Sequence, residues 1–134
     1  MNKWHNFYLR MAKEFSTMAK DPRLHVGAVI VTPEGILYPG FNGWEMGGTN
    51  EPDSLEPGQS GTVHAEANAI LKFNPTIHKG STMYLTHNPC IVCARMIVNT
   101  QAITEVYYAE EYRDTRGVDI LNRRGIVCEK FAIS

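Results

Sequence analysis

TMYLTHNPCIVCARMIVN, residues 82–99, contains the change of pattern on which the reading of the whole chain turns. Thr82-Met83-Tyr84-Leu85-Thr86 is β-branched, aromatic and apolar, the composition of a strand. His87-Asn88-Pro89 follows as a turn. Proline is favoured where a helix begins, so the pattern predicts a helix running to about Asn99 with Cys90 and Cys93 in its first turn. Unpaired amides and the helix dipole favour negative charge there, which lowers thiol pKa and suits both cysteines to bind a metal as thiolates. This is half of a candidate site. The other half lies upstream, in His64-Ala65-Glu66.

A second helix is predicted over residues 64–73, where Ala65, Ala67, Ala69, Ile70 and Leu71 favour helix and Asn74-Pro75 closes it. His64 therefore also sits at a helix start. One imidazole and two thiols make three ligands, one short of a closed structural zinc site; catalytic zinc keeps that fourth position for water. Zinc lowers the pKa of bound water from about 15.7 to about 7. Glu66 sits close enough to accept that water's proton without binding the metal. It would serve that water as a proton shuttle. That task calls for a carboxyl pKa near the working pH, which a partly buried apolar site provides. His-x-Glu followed by Pro-Cys-x-x-Cys is the signature of zinc nucleobase deaminases. A redox Cys-x-x-Cys would have a different βα context and no His-Glu partner. A closed zinc site would need Cys128 or His87 as a fourth ligand. Cys128 reads as a core thiol in mid-strand and His87 as a satisfied turn histidine, outside the metal set.

Taken in order, residues 2–19 place Trp4, Phe7, Tyr8, Met11, Phe15, Met18 and Ala19 at helical spacing, an amphipathic helix whose aromatic stripe is expected in the core. Asp21-Pro22 ends it. Residues 25–31 read as a buried strand, Thr32-Pro33-Glu34-Gly35 as a turn, and residues 36–41 as an antiparallel partner. Pro39 suggests an edge or a bulge in that partner. Residues 42–62 lose periodicity and fill with glycine, proline and polar residues, a functional loop running directly into His64. Residues 103–109 form a fourth strand. Asp114 or Thr115 caps a short helix through Leu121 that stops near Gly125, and residues 126–131 form a last strand. The order α-β-β-α-β-α-β-α-β predicts one domain over 1–134: a three-layer α/β/α fold with a five-stranded mixed sheet.

Thirteen basic and fourteen acidic residues leave a net charge of −1, which argues against a nucleic-acid partner. No apolar run suits a signal peptide or a membrane span. Three cysteines, two of them in Cys-x-x-Cys, fit a reducing, cytoplasmic compartment.

Residues 21–31 (DPRLHVGAVIV), 40–43 (GFNG), 62–70 (TVHAEANAI), 85–94 (LTHNPCIVCA) and Glu111-Tyr112-Arg113 together resemble the deoxycytidylate (dCMP) deaminase family of the cytidine-deaminase superfamily. Free cytidine deaminases generally have cysteine where His64 stands. Editing and transfer-RNA deaminases usually lack the Asp-Pro-Arg and Gly-Phe-Asn-Gly contexts together. The resemblance implies a zinc-dependent hydrolase converting dCMP to dUMP, with one zinc ion on His64, Cys90 and Cys93 and Glu66 as proton shuttle. It implies that Arg23 reaches the phosphate, where a guanidinium binds bidentately. Asn42 contacts sugar or base, Thr62 and Ala65 line the pocket, and Tyr112 with Arg113 closes over the substrate. It further implies activation by dCTP and inhibition by dTTP around Asn42 and Gly43, with Mg2+ accompanying these nucleotides, in a homo-oligomer, commonly a hexamer. The chain departs from the family in lacking a cysteine in its 42–62 loop that could join an accessory zinc site. Other readings of the same motifs are a polynucleotide or nucleoside deaminase and a non-catalytic, zinc-stabilised nucleotide-binding module.

Overall fold

The computed structural model describes residues 2–21, 24–48, 52–54, 61–112 and 114–134. The elements follow the expected order: α1 (Asn2–Ser16), β1 (Gly27–Val31), β2 (Leu37–Phe41), α2 (Ala65–Lys72), β3 (Ser81–His87), α3 (Ile91–Thr100), β4 (Ile103–Glu110), α4 (Arg116–Arg123) and β5 (Val127–Lys130). The sheet order is β2-β1-β3-β4-β5. β1 is antiparallel to both β2 and β3, whereas β3, β4 and β5 run parallel, so the sheet is mixed. The strand ends nearest the candidate site are the start of β1 and the finishes of β2, β3 and β4, all at one end of the sheet.

The alternation of β3 and β4 divides the core. Met83, Leu85, Val106 and Tyr108 face Ala65 and Ala69 of α2, Ala94 and Ile97 of α3, and Leu121 of α4. Tyr84 and Tyr107 face the other way, against Leu9 of α1. Cys128 belongs to the first cluster, as expected of a core thiol.

Two expectations about α1 need correction. The helix ends at Ser16 rather than near residue 19, and the Thr17 hydroxyl donates to the Glu14 carbonyl at 2.7 Å just beyond that end. The aromatic stripe is not wholly in the core: Trp4 is 50% and Phe7 47% exposed, and Met18 is exposed as well. The face turned to the sheet is the one bearing Leu9, Ala12 and Ser16. Helix and sheet approach so closely there that a Cβ on Gly27 would collide with the Ala12 carbonyl. Only small side chains fit where Gly27 meets Ala12, and Leu9 and Tyr8 pack beside that point against Tyr84 and Tyr107.

α2 is seated in the same manner on β2. A Cβ on Gly40 would run into the Ala65 carbonyl and the Ala69 amide. Asn68 fixes the contact by donating to the Phe41 carbonyl at 2.8 Å. Pro39 lies on the outermost strand, as its missing donor suggested, and its carbonyl accepts from Lys72 Nζ at 2.7 Å. Because the obstruction at Gly40 is backbone, Gly40→Ala should lower unfolding free energy by about 2–3 kcal/mol, the usual cost of overpacking. Urea denaturation with an unchanged m-value measures it.

Candidate active site

Two helix starts converge at this end of the sheet. His64 is the N-cap of α2, in extended conformation (φ −67°, ψ 152°), and its side chain makes no capping bond, leaving the ring to face α3. Cys90 is the N-cap of α3 rather than part of its first turn, and its sulfur accepts from the Cys93 amide at 3.4 Å. His64 Nδ1 stands 3.3 Å from Cys93 Sγ and 3.6 Å from Cys90 Sγ. The three ligand atoms lie within 4.8 Å of one another, and among the described residues no fourth His, Cys or carboxylate joins them. One borderline nitrogen and two soft sulfurs at this spacing, with one coordination place left over, fit zinc in its catalytic arrangement.

Hydrogen bonds and burial set the proton affinities of these groups. Cys90's thiol is drawn down to about 4, first by its hydrogen bond with the Cys93 thiol and then by His64 and the Cys93 amide. Cys93 is pushed upward by the same shared proton, by burial and by the charge of Glu66. His64 is raised, chiefly by its bond to Cys90. Glu66, in the first turn of α2, is 5% exposed, and burial pushes its carboxyl up to about 7 against the opposing pull of its own backbone amide and His64.

These groups open onto a cavity of about 500 Å3, in the range of small-molecule sites. Asn42, Thr62, His64, Ala65, Glu66 and Tyr112 all line it. Asn42 is buried, with Nδ2 donating to the Leu24 carbonyl at 2.7 Å and Oδ1 accepting from the Val26 amide at 2.9 Å. A carboxamide offers four hydrogen-bonding places, so half of its capacity goes to bracing the chain before β1. Thr62 donates to Asp21 Oδ2 at 2.9 Å. Gly43 pairs with Val63 in an isolated antiparallel bridge that brings the chain to His64. Arg23 and Arg113 lie outside the described residues.

His87 was expected in a turn. It is instead the last residue of β3, paired with Glu110. Its ring stacks on Tyr112 with centroids 5.0 Å apart and lines the cavity. Tyr112's hydroxyl is pushed up to about 12, first by burial and then by the charges of Glu66 and Asp21. Asn88, also in the lining, was not singled out from the sequence at all. The signal that would have found it is its place between the end of a strand and a ligand cysteine.

Residues 2–110 match the family model described as the cytidine and deoxycytidylate deaminase zinc-binding region. The chain belongs to that family. Human deoxycytidylate deaminase is 30% identical over 145 residues, covering 96% of this chain and 80% of the human one. ComE operon protein 2 of Bacillus subtilis is 36% identical over 118 residues, covering 82% of this chain, which spans only 61% of that relative's length. Among solved structures, the dCMP deaminase of cyanophage S-TIM5 in complex with dCMP and dUMP superposes with a TM-score of 0.86 at 33% identity, covering 98% of each chain. The five-stranded mixed sheet and four helices are the fold of this family.

The buried carboxyl makes the metal-free protein sensitive to pH. Glu66's pKa of about 7 in the fold lies above its ordinary 4.5. Its contribution to stability is therefore full below pH 4.5 and is lost as pH rises through about 7. Metal-free Glu66→Gln should lack this component. Chemical denaturation of both metal-free proteins at several pH values should show the variant gaining on the parent between pH 5 and 8.

Proposed function

We propose that this chain hydrolyses dCMP to dUMP and ammonia. The observation that carries this reading is the meeting of His64, Cys90 and Cys93 at two helix starts with the buried Glu66 carboxyl beside them, at the mouth of a cavity of nucleotide size. The likeness to a dCMP deaminase that covers 98% of both chains supports the choice of substrate. A net charge of −1 gives a polynucleotide little to bind.

His64, Cys90 and Cys93 would hold one zinc ion, which when bound supplies an activated water to the reaction. Glu66 holds and moves the protons. With a pKa of about 7, its carboxyl exists in both forms at neutral pH, as a group that alternately accepts and donates must. It takes one proton from the water and delivers it to the ring nitrogen beside the reacting carbon; it then takes a second from the hydroxyl left on that carbon, which becomes the carbonyl, and gives it to the amino group, which departs as ammonia. Ala65 brings the chain against the base. Asn42 retains one N–H and one lone pair for sugar or base, Thr62 lines the same wall with its hydroxyl held by Asp21, and Tyr112 stacked on His87 closes it. Arg23 is assigned to the phosphate on the family resemblance alone. The same holds for regulation by dCTP and dTTP at Asn42 and Gly43, for Mg2+ accompanying them, and for a hexamer.

Purified protein supplied with dCMP should release dUMP, followed chromatographically. Deamination of cytidine or deoxycytidine with none of dCMP would overturn the substrate assignment. Glu66→Gln should keep one zinc per chain and lose about a thousandfold in turnover, whereas Cys93→Ala should lose the zinc itself. Repeating the assay with dCTP or dTTP tests the regulatory assignment.

A further inference from the structure

The parallel pairing of β3 and β4 ends at His87 and Glu110. Beyond that pair the two chains diverge: one turns through Pro89 to present Cys90 and Cys93, and the other leads past Tyr112 to α4. Asn88 stands where they part. Its backbone amide donates to the Glu110 carbonyl at 3.2 Å. Its side chain then reaches further along the same chain, Oδ1 accepting from the Tyr112 amide and Nδ2 donating to the Asp114 carbonyl at 3.0 Å. Carbonyl 110, amide 112 and carbonyl 114 are thus met in turn by one residue. A carboxamide carries the same donor and acceptor as a peptide group, so the side chain continues the ladder after the β3 backbone has left to build the ligand loop. Asn88 is 3% exposed, and each end of its amide is matched to a partner of the right sign.

A second contact joins the same two segments. Gly117, in the first turn of α4, lies so close to the ligand loop that a Cβ there would strike the carbonyls of Pro89 and Cys90. The stretch carrying Tyr112 and Asp114 is therefore held to the loop at both ends.

We propose that Asn88 is a positioning residue: its side-chain amide holds Tyr112 in the cavity wall at a fixed place relative to the loop that bears Cys90 and Cys93. Asparagine suits the position for a physical reason. Aspartate keeps an acceptor for the Tyr112 amide but turns its other oxygen against the Asp114 carbonyl, and alanine meets neither. Its amide being engaged by the Tyr112 amide and the Asp114 carbonyl, Asn88 acts through Tyr112.

Two measurements test this, and only the second rests on the dCMP reading. In the wild-type protein the Tyr112 amide should exchange with solvent at least about a hundredfold more slowly than in an open chain; exchange at the open-chain rate overturns the proposal whatever the substrate. In turnover, Asn88→Ala and Asn88→Asp should each keep one zinc and raise KM for dCMP about tenfold, the effect of losing one buried hydrogen-bonding partner. In a Tyr112→Ala background the same changes should shift KM by less than about twofold. Full additivity of the two substitutions, or loss of zinc with Tyr112 protection unchanged, overturns the positioning role. If neither Asn88 variant folds, the wild-type exchange rate decides. A wild-type protein inert on dCMP refutes the substrate assignment and again leaves exchange to decide.

Discussion

Three donor atoms carried by two helices have to meet within 4.8 Å, and much of the fold serves that meeting. Each helix start leaves amides unpaired, and each is turned toward the same point. At α3 the Cys93 amide is spent on the Cys90 sulfur, so capping the helix and holding the thiolate are one interaction. At α2 the N-cap side chain makes no capping bond, which leaves the imidazole to the thiols. The backbone contact at Gly40 sets how close α2 lies to the sheet, and so where His64 and Glu66 stand.

Hydrogen bonds and burial act on different groups of the site. The Cys90 thiol is lowered and the His64 imidazole raised first by their hydrogen bonds, whereas the neighbouring carboxyl is raised first by desolvation. A carboxyl in that condition is poised to change protonation at little cost near pH 7. The same burial is unfavourable to the fold once Glu66 ionises.

The parts of the site legible in the sequence were those whose geometry is local. His64, Glu66, Cys90 and Cys93 owe their placement to helix starts only a residue or two away, and proline and composition mark such starts well. Element order was equally readable, since each strand and helix is signalled within itself. What was not legible depended on contact between distant segments. The seating of α1 is decided by Gly27 against Ala12, and spacing alone did not show that Trp4 and Phe7 stay exposed while Tyr8 packs against Tyr84. Asn88 resembles an ordinary turn asparagine until residues 24 positions later are brought beside it. His87 differs from a turn histidine only because β4 continues far enough to pair with it.

The treatment of β2 bears on how copies of this chain can associate. An outermost strand ordinarily offers a row of free peptide groups to any other strand that drifts alongside. Here Pro39 has no N–H to offer on its open side, and its carbonyl is already occupied by Lys72. A neighbouring chain laid along β2 would find no partner at the strand's midpoint. Assembly by extending the sheet through this edge is thereby disfavoured.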